Sequence, residues 1–200
     1  MEFSYFAIED EETLRKVYGF RYEILCEELG FFEKNPQRLE QDPYDKYADQ
    51  FLVLKECQIA ATMRLIHHSP IGYPALFHLN IYPRYRYLLE EEHICEVSRV
   101  LIAKEYRNFK NAKEIIKHFI TEQVYIRGKE YGVEWIVAAI EKRFWRLLRS
   151  FNVHFEPIGD IQSGYGSPRF PALLPLQRLE SDNPHLKELY EKRRWYCISS

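Results

Sequence analysis

The chain has 200 residues with 28 Lys and Arg against 30 Asp and Glu, so its formal charge of −2 offers no basic field to nucleic acid or an anionic membrane. Hydrophobic residues make up 46% and charged residues 29%, ordinary globular proportions that exclude a disordered chain. No apolar run reaches the roughly 20 residues of a spanning helix, and the acidic start MEFSYFAIEDEE lacks the pattern of a secretory leader, so a cytoplasmic location is expected. Cys26, Cys57, Cys95 and Cys197 form no CxxC pair, and three of them sit in apolar segments where a free Cys acts as a small hydrophobe.

Residues 3–8 are the first expected strand. Residues 9–29 read as a helix, with Leu14, Val17, Tyr18, Arg21, Tyr22 and Leu25 at helical spacing and Gly30 as its stop. Residues 31–49 are polar, carry Pro36 and Pro43, and predict a long ordered loop. Residues 50–55 and 58–67 form a hairpin about a tight turn at 56–58. Residues 69–92, with Pro70, Pro74 and Pro83, are expected to be irregular. The segment ICEVSRVLIA at 94–103 is a central strand, apolar except for Glu96, Ser98 and Arg99. A helix at 111–131, a buried strand at 133–140, a helix at 141–151 and a strand at 153–157 follow. Residues 169–179 read as a strand broken by two prolines, and 183–193 as a terminal helix. The order predicts a single α/β (α+β) domain, a mixed sheet flanked by helices.

Strand periodicity places Glu96 and Ser98 on one face, with Cys95, Val97 and Arg99 on the other. A carboxylate inside a core strand is costly unless it is paired or lines a cavity. Desolvation would raise its pKa toward the range of a general base. A structural ion pair is the alternative. Glu40, Asp42 and Asp45 in LEQDPYD form a second cluster. They read as a solvated acidic loop, as metal ligands with the wrong spacing for calcium, or as partners for Arg21, Arg64 and Arg99. The last is favoured, because an Arg in an apolar element needs a bidentate carboxylate. His67 and His68 are adjacent on a strand and face opposite ways, and no HExxH or Cys/His finger exists, so no metal is expected. No Gly-x-Ser-x-Gly elbow appears and Cys95 has no local His, which argues against covalent catalysis.

Arg21–Tyr22, Leu29–Gly30–Phe31, Glu40-x-Asp42-x-x-Asp45, Arg64–Leu65–Ile66 and Glu96-x-Ser98–Arg99 resemble, in order and spacing, the acyl-homoserine lactone synthases of the GNAT superfamily. RYEILCEELGFF, LEQDPYD, MRLI, EVSRVLIAKEYRN and FWRLLRSFNVHFEPIG extend the resemblance over residues 15–178, toward exosortase-system (PEP-CTERM) acyltransferases and N-acyl amino acid synthases. The resemblance implies a GNAT-like, mostly antiparallel sheet. It also implies transfer of a fatty acyl group from a carrier thioester to the amine of an amino acid or similar molecule. Glu96 matches the general base of that family, and Ser98 and Arg99 its companion pair. Arg21, Phe31, Asp42, Asp45, Arg64 and Arg99 match the acceptor-site network. Leu101, Ile102 and Ala103, with Arg107, Lys110 and Ala112, match the donor site.

Phe31 stands where the lactone synthases usually carry Trp, and Leu25 where they carry Phe, which counts against S-adenosylmethionine as acceptor. A lactone synthase and a non-catalytic acyl-binding module remain the alternatives. The superfamily's pyrophosphate loop, R/Q-x-x-G-x-G/A, aligns with 107–112 and has Lys110 at its first Gly. Glycines let backbone amides approach a diphosphate closely, so the departure favours acyl carrier protein over free coenzyme A. Acyl-phosphopantetheine is then a co-substrate, with no permanent cofactor. Lys104, Arg107, Lys110, Lys113 and Lys117 either steer an acidic carrier protein or form a solvated helix face. Leu101, Trp135, Val137, Phe144, Leu147, Leu148 and Phe155 would line an acyl tunnel or simply pack the core.

Overall fold

The computed structural model describes residues 3–164 and 166–198, with the side chains of residues 194–198, Cys197 among them, outside the described set. It opens with strand β1 (Ser4–Ala7) and helix α1 (Glu11–Tyr22). Asp10 caps α1 by accepting the Thr13 amide at 2.8 Å, and Glu11 and Glu12 complement the helix dipole in the first turn. The helix then widens into a π-helical segment, Glu23–Glu28, in which the Leu29 amide donates to Ile24 five residues back. Gly30, at φ +64°, ends it. A 3-10 turn at Pro43–Tyr47 leads into the hairpin of β2 (Ala48–Lys55) and β3 (Gln58–His67).

Residues 69–92 hold more structure than their prolines suggest. Pro74 opens a single-turn helix, α2 (Pro74–Phe77), and Pro83 opens a 3-10 segment (Pro83–Leu89), because proline suits the first helical position. Strand β4 (Ile94–Ile102) follows, then a long helix made of α3 (Phe109–Lys117), a π-helical stretch (His118–Val124) and α4 (Tyr125–Glu130). Strand β5 (Trp135–Ile140), α5 (Lys142–Arg149), β6 (Glu156–Pro157), β7 (Gln162–Gly164) and β8 (Ser167–Pro175) come next. The chain closes with α6 (Leu176–Asp182) and α7 (His185–Ile198). Two expectations are corrected here. The strand expected at 153–157 shrinks to two residues because the Val153 amide folds back onto Leu148 at the end of α5. The second half of the strand expected at 169–179 is α6, for which Pro175 is the N-cap.

The eight strands form a sheet in the order β1-β2-β3-β4-β5-β8-β6, with β7 pairing β8. Every pairing is antiparallel except β4 with β5. That parallel pairing is brief: Ile94↔Trp135, Cys95↔Ile136 and Glu96↔Val137, after which the two strands part. One face of the sheet packs Phe51, Met63, Leu65, Cys95 and Ile136 against Ile115, Phe119 and Tyr125 of the long helix. On the other face Ile66, Ile94, Val137 and Leu173 meet Tyr73, Leu76 and Leu88. Among the described residues no helix is long and apolar enough to cross a membrane.

Candidate active site

The parting of β4 and β5 opens a cleft of about 310 Å³. One wall is the edge of β4 from Glu96 to Ile102, which beyond Glu96 has no register with β5, and another is Ala138–Ile140 of β5. The third is built from Ile24, Leu25, Leu29, Phe31 and Phe32 at the end of α1, and Ile120, Phe144, Leu148 and Phe155 complete an apolar lining. Phe31 is held there by Gly166, at φ +82°, since a Cβ on that residue would lie 2.2 Å from the Phe31 ring.

Glu96 stands where the strands separate and is 2% exposed. Its Oε2 accepts the backbone N–H of Ala75, at the start of α2, at 2.7 Å. Burial pushes its pKa up to about 7, opposed only in part by that N–H and by the charges of Arg64 and Arg99.

Those guanidinium groups are engaged elsewhere. Arg21 donates from Nε to Glu40 at 2.6 Å and from both terminal nitrogens to Asp45, at 2.8 and 3.2 Å. Arg64 donates to Asp42 at 2.6 Å, Asp45 at 3.0 Å and Ser98 Oγ at 2.9 Å. Arg99 binds Glu40 at 2.7 Å and Asp42 at 3.0 Å, with Phe32 stacked 5.1 Å from its guanidinium carbon. Register explains the convergence: Gln50, Arg64 and Ser98 are direct neighbours across β2, β3 and β4, and Gln50 also donates to Asp45 at 2.9 Å. Burial works to raise the Asp45 pKa, but Arg21 and Arg64 hold it down to about 2, and Glu40 is lowered in the same way by Arg21 and Arg99.

Simple alternation places Arg99 on the face away from Glu96, and the structure corrects this. Between Arg64↔Ser98 and Thr62↔Leu101 the register slips, and Arg99 takes φ +51°. This bulge turns Arg99 toward Glu40 and toward Asp42, which it shares with Arg64. Bulges of this kind re-aim a side chain, and no single-sequence pattern announces them.

Leu101, Ile102 and Arg107 also line the cleft, whereas Ala103, Lys110 and Ala112 do not. The Ala103 amide is bound to the Ala60 carbonyl at 2.8 Å, Lys110 is exposed on α3, and Ala112 packs against the core. Of the expected tunnel residues, Leu101, Phe144, Leu148 and Phe155 line the cleft, while Trp135 and Val137 belong to the core of the opposite face and Leu147 packs against the main core.

A second cavity of about 320 Å³ adjoins the cleft, sharing Phe32, Pro74 and Arg99 with it. Cys26, Glu40, Asp42, Tyr44 and His78 complete much of its lining, and the Tyr44 hydroxyl lies 3.3 Å from His78 Nε2. Sequence reading missed Ala75, Tyr44 and His78. The available signal was Pro74 at a helix start, but one helical turn is too short to show periodicity.

Replacing wholly buried Arg21 by Met takes from Glu40 and from Asp45 one of the two guanidinium groups that each binds, and a loss of about 3 kcal/mol in urea unfolding is expected. Both carboxylates have lowered folded-state pKa values, so their contribution is present at neutral pH and is lost as pH falls through the carboxylate range toward about 2. The variant should show a flatter acid limb of stability, and an unchanged one would contradict the ion-pair assignment.

Residues 20–117 match the family model described as an acetyltransferase (GNAT) domain. No curated protein matches the sequence. Among solved structures, TofI in a ternary complex with an inhibitor and MTA is similar with a TM-score of 0.69 at 15% identity, over 93% of this chain and all (100%) of that one. BjaI, a CoA-dependent acyl-homoserine lactone synthase solved with SAM and isopentyl-CoA, gives 0.68 at 17% identity, over 93% of this chain and 90% of its own. FeeM, an N-acyl amino acid synthase from uncultured soil microbes, gives 0.63 at 15% identity, over 90% and 94%. At these identities the likeness is one of fold. By its domain match and its parted sheet, the chain has a GNAT-like fold, the fold that the acyl-homoserine lactone synthases and this N-acyl amino acid synthase share.

Proposed function

We propose that the protein is an N-acyltransferase that moves a long acyl group from a phosphopantetheine thioester to the amine of an amino acid or similar small molecule, with Glu96 as general base. The observation that carries this proposal is the state of Glu96: buried, bound by one backbone N–H, and facing a cleft where the sheet opens. An amine attacks only when deprotonated, and a carboxylate with a pKa about 7 is suited to take its proton at neutral pH. The attacked thioester carbonyl becomes an oxyanion, for which the unpaired edge of β4 supplies backbone N–H donors. Ser98 accepts from Arg64 Nε, which leaves its own hydroxyl proton available to the reacting groups.

The acyl chain would occupy the apolar cleft, and the acceptor the adjoining cavity beside Asp42, Tyr44, His78 and Arg99. A carrier protein in the cytoplasm is the preferred donor. At the start of α3 the Asn108 side chain accepts the Asn111 amide at 3.0 Å, and Lys110 replaces a glycine, so this turn is poorly prepared for a diphosphate. Phe31, at the position of a lactone synthase Trp, sets an amino acid ahead of S-adenosylmethionine as acceptor.

Glu96→Gln is expected to lower kcat by about 100-fold or more, read by mass spectrometry of N-acyl product from long-chain acyl carrier protein, acyl-CoA, a panel of amino acids and S-adenosylmethionine. Wild-type kcat/KM should rise with pH and level off above about 7, and the variant should lack that limb. Full activity in Glu96→Gln would overturn the role of Glu96. The same carboxyl affects folding. Because its folded pKa is raised from 4.5 to about 7, wild-type stability falls as pH rises between those values, by about 3 kcal/mol. Glu96→Gln should therefore gain on wild type at alkaline pH.

Ala138→Leu, on the β5 wall, should narrow the cleft and shift preference to shorter chains, each methylene left outside lowering kcat/KM about fourfold. An unchanged chain-length profile would place the acyl group elsewhere.

A further inference from the structure

A salt bridge ties two walls of the cleft together. Arg107, a lining residue, donates from Nε to the carbonyl of Ile102, at the end of β4, at 2.8 Å. Both of its terminal nitrogens reach across to Glu28, with Nη2 2.9 Å from Oε2 and Nη1 bonded to Oε1. Glu28 is the last residue of the π-helical segment, and the residues beside it, Ile24, Leu25, Leu29 and Phe31, form the opposite wall. The guanidinium thus bridges β4 to the α1 end.

Three features make this tie one that a ligand can undo. Both side chains are 36% exposed, so water solvates them once parted and the pair adds little stability. The π-helical turn that carries Glu28 is stitched by local backbone bonds of its own, Leu29 N–H to Ile24 at 2.9 Å and Phe31 N–H to Leu25 at 2.7 Å, and these do not involve Arg107. A bidentate guanidinium accepts a phosphate in the same geometry as a carboxylate.

We propose that Glu28 and Arg107 form a clasp over the donor end of the cleft, opened when the phosphate of a phosphopantetheine arm replaces Glu28 on the Arg107 guanidinium. The nature of the ligand rests on the acyl-transfer reading above. Glu28 is then a specificity-determining residue. It is the competitor that a phosphomonoester or phosphodiester must displace from Arg107, and it swings to solvent when one does. The recognised chemistry is shared by a carrier-protein arm and by coenzyme A.

Calorimetry on the full-length protein tests this with two probes that differ only in the phosphate, pantetheine and 4′-phosphopantetheine. Wild type should bind the phosphorylated probe more tightly. Glu28→Gln should tighten that binding about two- to fivefold, the size of a surface ion pair removed as competitor, and leave pantetheine unaltered. Arg107→Gln should bind both probes alike. Equal affinity of wild type for the two probes, or unchanged or weaker phosphopantetheine binding in Glu28→Gln, would overturn the clasp. Thermal unfolding should be near wild type in both variants, since neither residue is buried. Titration with a holo carrier protein and with coenzyme A identifies the source of the arm as whichever binds more tightly. Phosphate discrimination that depends on Glu28, but with no amide formed from acylated donors, would leave the clasp standing and remove the transfer reading.

Discussion

Three buried or half-buried arginines neutralised by three carboxylates determine what the centre of this molecule can do. Arg21, Arg64 and Arg99 each donate at least two hydrogen bonds to Glu40, Asp42 or Asp45. Those pairings hold the guanidinium groups on the loop carboxylates, with Arg64 Nη2 buried and bonded to nothing, and Glu96 on β4 is left with one backbone N–H and no ion pair among the described residues. Burial then dominates its ionisation. Had a guanidinium turned to Glu96, the carboxylate would be a fixed anion, unable to take up a proton at neutral pH. The network holds the positive charge away from Glu96 and fixes the loop whose Glu40 and Asp42 line the adjoining cavity.

Two irregularities of β4 convert that charge pattern into a site. Its parallel pairing with β5 lasts three residue pairs and stops at Glu96, so the carboxylate sits at the apex of the opening. Next, the bulge at Arg99 adds a residue and turns a side chain that belongs on one face to the other. A regular strand would have kept its ladder to β5, closed the cleft and sent Arg99 into the main core. The cost of a positive φ at a non-glycine residue is offset by the hydrogen bonds of Arg99 to Glu40 and Asp42.

Much of this is written in the sequence in a form that single-residue chemistry can read. An arginine in an apolar helix and another in an apolar strand demand carboxylates, and LEQDPYD supplies them at the right number. Glu96 is conspicuous because every neighbour on its strand up to Val97 is apolar. Gly30 marks the helix end it was expected to mark. What stayed hidden has a common cause. The bulge and the π-helical segments depart from a regular period by one residue, α2 is a single turn, and the helix after Pro175 runs for only about two turns, too few to show a repeat. Ala103 and Lys110 illustrate a second limit: sequence proximity to a site says nothing about which way an amide or side chain is spent. Ala103 gives its N–H to Ala60, and Lys110 faces solvent.

The ionisation of one carboxyl group is the point on which these relations converge, and it can be observed without substrate. Carbon-13 NMR of protein labelled at the glutamate carboxyl, with the resonance assigned by its loss in Glu96→Gln, follows the titration of Glu96 directly. A midpoint about 7 is predicted. A midpoint at or below the ordinary 4.5 would mean that a cation neutralises Glu96, and would contradict its place as the base.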